Sequence, residues 1–110
     1  MKTTHTKEYT HIVSDENSFS DFIKNFENEY NNYTGKNLII QISEKYNTTN
    51  ENILLFLKYA HEHQDNGTSF VIIYKDVTID DFPDTFNIVP TLVEAEDVIE
   101  MENIQRDLGF

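Results

Sequence analysis

The chain contains no cysteine, which excludes disulfides, thiolate nucleophiles and cysteine-based zinc sites. It contains only three glycines, Gly35, Gly67 and Gly109. That scarcity leaves no Gly-rich phosphate loop, no dinucleotide fingerprint and no Gly-x-Ser-x-Gly nucleophile elbow. No apolar run approaches the ~20 residues of a membrane span, and Met1–Val13 holds none of signal-peptide length. The cytoplasm is therefore the expected location. Positive charge is also scarce: eight Lys and Arg face twenty Asp and Glu, a formal net charge of −12. Such a surface repels phosphate backbones and anionic headgroups, so neither nucleic acid nor membrane is an expected partner. A basic protein partner would be attracted. Alternatively, the charge serves solubility alone.

What the chain does have is enough apolar material for one core. Its 110 residues are 38% hydrophobic and 13% aromatic, which argues against disorder and for a single domain, 1–110. Residues 1–6 are polar and are expected to be loose.

Hydrophobic periodicity divides the rest. Lys7 to Val13 alternates weakly and reads as a strand near a sheet edge. Ser18 to Tyr33 places Phe19, Phe22, Phe26, Tyr30 and Tyr33 on one helical stripe, with Ser18 and Asp21 as a cap and Gly35 as the stop. Leu38 to Ile42 is apolar enough for a strand buried on both faces. Asn50 to His63 reads as a helix, with Thr48 and Glu51 at capping-box spacing. Asp65-Asn66-Gly67 is turn chemistry, and Phe70 to Tyr74 is another strand. This β-α-β unit predicts parallel pairing at the sheet centre. After an acidic loop, Asp76 to Thr85, a short strand covers Phe86 to Val89. A last helix starts at Leu92, capped by Thr91 and Glu94. Its buried side is Leu92, Ala95, Val98 and Ile99, with Met101, Ile104 and Leu108 continuing the apolar pattern after a bend. The expected fold is α/β: about four strands in a mixed sheet, with helices mostly on one face.

Candidate chemistry is thin. His5, His11, His61 and His63 invite a metal, but His61 and His63 lie two apart, about 200° around a helix. Zinc-binding helices use i, i+4 spacing. These read as ordinary surface histidines. The carboxylates Asp80, Asp81, Asp84 and Glu94, Glu96, Asp97 fall in a polar loop and a first helical turn, where a solvated face or helix-dipole complement accounts for them. No catalytic residue, metal ligand or cofactor is expected. The helix from Asn50 is richer: Ile53 to Leu57 are all apolar, more than one face can hold. Either it packs between neighbours, or Leu54 and Leu55 form a strip for a partner or for self-association.

Leu38 to Ser43, the helix from Asn50, the Asn66-Gly67 turn and Ser69 to Tyr74 resemble the core of a STAS domain. That is the domain of anti-sigma factor antagonists, found also on sulfate transporters. The ending Val89-Pro90-Thr91-Leu92-x-Glu94-Ala95-x-Asp97 resembles the last strand and final helix of the same fold. The similarity spans roughly residues 36–108 and rests on apolar patterns. In such antagonists a partner kinase phosphorylates a Ser, usually preceded by Asp, at the start of the helix after the central strand. The resemblance puts that place at Thr48, Thr49 and Asn50. The Asp-Ser pair is missing; Asn50 takes the acceptor position, with Thr48 and Thr49 as displaced candidates, and simple helix caps are the competing account. The chain also resembles short acidic proteins of Bacteroidota that carry the label ribonuclease Z. A true enzyme of that type is similar to metallo-β-lactamases and needs a His-x-His-x-Asp-His motif, which this sequence lacks.

The expected function is a non-enzymatic interaction or regulatory module. It would bind a protein partner, basic or kinase-like, through Asn50, Asn52, Leu54 and Leu55. The alternative is a small-ligand domain for a nucleotide or lipid; RNA processing comes last. Oligomeric state is left open.

Overall fold

The computed structural model describes residues 1–75 and 82–109. In chain order the strands are β1 (Lys2–His5), β2 (Thr10–Val13), β3 (Leu38–Gln41), β4 (Phe70–Ile73) and β5 (Asn87–Val89). The helices are α1 (Phe19–Glu29), α2 (Asn50–Leu54), α3 (Leu57–Asp65) and α4 (Leu92–Asp107). The strands form one five-stranded sheet in chain order. β2 to β5 run parallel, and β1 alone is antiparallel. No described helix is long and apolar enough to cross a membrane.

Five strands replace the expected four. Lys2–His5, expected to be loose, pairs Lys2 with Val13 and His5 with Thr10. All four of its side chains are exposed, so no hydrophobic pattern announces it. Its anchors are polar. The Met1 ammonium lies 2.6 Å from Asp15 Oδ1 and 2.9 Å from Glu16 Oε2. His5 Nδ1 shares a 3.1 Å hydrogen bond with Thr10 Oγ1. Thr6 Oγ1 accepts from the Glu8 and Tyr9 amides and turns the chain between the strands.

β3 and β4 carry the centre. Alternation sends Leu38, Ile40, Phe70 and Ile72 to one face and Ile39, Val71 and Ile73 to the other. The first face is aromatic. The α1 stripe meets α3 there, with Phe26 5.3 Å from Phe56 and 5.1 Å from Tyr59, ring to ring. α1 is capped as expected: Ser18 Oγ accepts from the Asp21 amide. A 3-10 turn at Tyr30–Asn32 extends it, and Gly35 at φ 77° reverses the chain.

The single helix expected from Asn50 is two. Between α2 and α3, i→i+3 hydrogen bonds (Leu55 to Asn52, Phe56 to Ile53) tighten the turn. Five consecutive apolar residues cannot share one helical face. The break lets Ile53 and Phe56 enter the core fully while Leu55 stays half exposed.

α4 lies on the opposite face from α1, α2 and α3, packing Ala95 and Ile99 on Ile39, Val71 and Ile73. Thr91 Oγ1 caps it by accepting from the Glu94 amide. It runs without interruption to Asp107. The expected bend is absent, and Met101, Ile104 and Leu108 are exposed rather than buried.

Candidate functional site

Because β2 to β5 are parallel, their carboxyl ends share one edge, where open α/β sheets place ligands. Ser14 Oγ ties two of the exits together, donating to the Gln41 carbonyl (3.1 Å) and accepting from the Ser43 amide (2.7 Å). A cleft of about 540 Å³ opens there, lined by Ser43, Glu44, Lys45, Lys75 and Thr91 among others. Lys75 and Glu44 pair across its rim at 3.0 Å.

The sequence-predicted site residues lie on this side of the fold. The capping box is formed by Thr49 and Asn52, not by Thr48 and Glu51. Thr49 Oγ1 accepts from the Asn52 amide at 3.2 Å, and Asn52 Oδ1 accepts from the Thr49 amide at 3.0 Å. Thr49 is exposed. Thr48 is half-buried, its Oγ1 enclosed without a hydrogen-bond partner among the described residues, while its carbonyl accepts from the Tyr74 hydroxyl at 3.2 Å. Asn50 is half-buried. Leu54 packs partly against the aromatic core. Of the four partner-binding candidates only Leu55, 50% exposed, presents an apolar side chain to solvent. A lone exposed leucine is ordinary on a protein surface.

The opposite edge holds a cleft of about 620 Å³ lined by Lys7, Lys36, Arg106, Asn37 and Thr68 among others. Beside it lies a polar cluster with no sequence signature. Ser69, fully buried, donates from Oγ to Glu102 Oε1 at 2.6 Å. Arg106 Nη2 donates to Ser69 Oγ at 3.1 Å and also to Asn103. Asn87 Nδ2 donates to Glu102 Oε2 at 3.0 Å. The cluster pins the second half of α4 to β4 and β5.

His63 is not a surface histidine: it is 1% exposed, its ring 5.3 Å from Phe70 and its Nδ1 2.9 Å from Thr68 Oγ1. Burial pushes it below the usual 6.5, against the opposing pull of the Lys36 backbone and Glu62. His5 and His61 are exposed, and His11 shares a 2.9 Å hydrogen bond with Gln41. Among the described residues no group of three or more His, Asp or Glu side chains is arranged to hold a metal. Asp80 and Asp81 lie outside the described residues; Asp84, Glu94, Glu96 and Asp97 are exposed.

Among the described residues the largest apolar exposure is on α4 and its carboxyl end. Val93 (66%), Met101 (61%), Ile104 (53%) and Leu108 (66%) stand in water. At 3.6 residues per turn they share an arc of roughly 80°, opposite the face that carries Ala95 and Ile99. Glu94, Glu96, Asp97, Glu100 and Asp107 are exposed around them. The only cation of the helix, Arg106, turns to Ser69. Sequence periodicity registers Met101, Ile104 and Leu108 as a continuation of the apolar pattern and does not register Val93. The small buried side, Ala95 and Ile99, left the helix apolar on two sides.

No protein-family model matches the chain, and no curated protein matches it.

Proposed function

We propose that this chain is a non-enzymatic protein-interaction module of STAS-like fold, of the kind anti-sigma factor antagonists exemplify, acting in the cytoplasm. The observation that carries the interaction reading is the outer face of α4: four large apolar side chains in line, exposed by half or more. Aligned apolar exposure, unlike scattered single residues, marks a surface that is covered by something else. The parallel order of β3, α2, α3 and β4 and the strand-to-helix passage through Pro90 and Thr91 support the STAS-like part. Within that reading Thr49 is the better switch candidate of the two threonines, since the residue is exposed and the Thr48 hydroxyl is enclosed.

The test is capture from lysate of the source organism, comparing the wild-type chain with an Ile104→Asp/Leu108→Asp variant by mass spectrometry. Both positions are exposed, so the variant should keep its fold, checked by circular dichroism. A protein held by the wild type and lost by the variant supports the reading. An identical set of captured proteins overturns it.

A second reading, a small-ligand domain, is favoured by the amino-edge cleft. It gathers Lys7, Lys36 and Arg106, three of the eight cations in an acidic chain. A thermal shift of several degrees with a nucleoside phosphate or an anionic lipid headgroup, absent in Lys7→Ala/Lys36→Ala, would carry that reading. No shift with either would remove it.

A further inference from the structure

We infer that the outer face of α4 receives a basic amphipathic helix with a cation about one turn from one end of its apolar stripe. This rests on the interaction reading above and names the partner's chemistry. The exposed stripe runs from Val93 to Leu108, about 22 Å of helix at 1.5 Å per residue. That length suits one partner helix of four turns or so.

Charge selects the occupant. The stripe is flanked by Glu94, Glu100 and Asp107, all exposed. No exposed cation on the helix neutralises them, because Arg106 is bound to Ser69 and Asn103 on the opposite side. A second copy of the chain laid face to face would set these carboxylates against their own kind, which disfavours self-association. A helix bearing Lys or Arg beside its apolar residues places opposite charges at the rim and apolar against apolar at the centre.

The stripe itself is interrupted. At 3.6 residues per turn Asp97 falls on the same arc as Val93, Met101, Ile104 and Leu108. It lies between the apolar pair of turns and Val93 alone. A partner residue meeting Asp97 is taken out of water, where an unpaired carboxylate is costly. The match is a Lys or Arg at the equivalent point of the partner. A charged pair inside an apolar seam also fixes register, as a polar residue at a core position does in coiled coils.

The experiment uses the full chain and a synthetic helical peptide of about 18 residues. It carries a leucine stripe flanked by lysines, with one lysine interrupting the stripe about one turn from its end. Controls are the same residues scrambled and the peptide with glutamate in place of the interrupting lysine. Binding is followed by fluorescence anisotropy. The wild-type chain should prefer the designed peptide to the scrambled one by about tenfold or more, and Ile104→Asp should abolish that preference. Asp97→Lys should reverse the choice between lysine and glutamate at that interrupting position. Equal binding of designed and scrambled peptides, or a preference untouched by Ile104→Asp, overturns the inference. So does a wild-type mass of two chains in light scattering that Ile104→Asp reduces to one, since a second copy would then be the occupant. If the peptide fails while lysate capture still depends on Ile104 and Leu108, the interaction reading stands and only the basic-helix partner falls.

Discussion

Ser69 Oγ donates to Glu102 Oε1 at 2.6 Å, joining the amino end of β4 to the far half of α4. Ser69 is fully buried, and Glu102 also accepts from Asn87. α4 places only Ala95 and Ile99 fully in the core, so apolar burial holds it less firmly than the aromatic face holds α1. The polar clamp is what secures its second half, and with it the line of Met101, Ile104 and Leu108.

Ser69→Ala is therefore expected to destabilise the protein by about 1–2 kcal/mol, since it removes the buried donor of a partly buried carboxylate. Urea unfolding measures the loss. Hydrogen exchange should locate it: amides in the second half of α4 should exchange faster, while those of α1 stay protected. A stability unchanged within error would show that the clamp contributes nothing.

His63 predicts a pH dependence. Burial holds its folded pKa below 6.5, so between 6.5 and that lower value the unfolded chain binds a proton that the folded chain does not. Stability is then highest above 6.5 and falls as pH drops through this window. In His63→Leu the fall over the same window should be smaller. Proton NMR should place the His63 midpoint below 6.5. A midpoint at or above that value would contradict the geometry.

The amino terminus predicts a second, more acidic limb. Burial alone would raise the Glu16 carboxyl, but hydrogen bonds from Asn25 and the Met1 ammonium hold it down to about 2. A depressed carboxylate stabilises above its unfolded pKa, and that contribution is lost as pH falls from about 4.5 toward 2. Glu16→Gln should cost about 1–2 kcal/mol at neutral pH and flatten this limb. In the same variant β1 should lose protection first, because the Met1 ammonium that holds its start would keep only the more exposed Asp15.

The elements legible in the sequence were those driven by apolar burial. The α1 stripe, the paired runs of β3 and β4 and the Ser18 and Thr91 caps follow from side-chain periodicity and local hydrogen bonding. β1 was not legible, because Lys2–His5 pairs through its backbone and buries nothing. His63 was misplaced because helical spacing gives a face but not what covers it; Phe70 and Thr68 arrive from later in the chain. The outer stripe of α4 was visible as apolar residues, yet only the third dimension showed which side meets the sheet. The Ser69, Glu102, Arg106 and Asn87 cluster spans residues 69–106 and has no local pattern to read.

The helix start at α2 offers the sharpest contrast between neighbouring residues of one type. Thr49 Oγ1 accepts from the Asn52 amide, so Thr49→Ala removes an N-cap and should cost about 1 kcal/mol. Thr48 Oγ1 is enclosed and bonds to nothing among the described residues. Thr48→Val keeps the shape and replaces that hydroxyl with a methyl group, which relieves an unsatisfied polar atom. It should be neutral or stabilising. Denaturant midpoints of the two variants decide the assignment. If Thr48→Val were the costly one, the cap would be the Thr48 and Glu51 pair that sequence spacing alone suggests. With Thr49 as the cap, a phosphate on its hydroxyl would replace the proton and leave acceptor oxygens beside the amides of the first turn. Modification at this position would thus add negative charge at the start of α2 beside the carboxyl-edge cleft, and Thr49→Glu should keep more helix protection than Thr49→Ala.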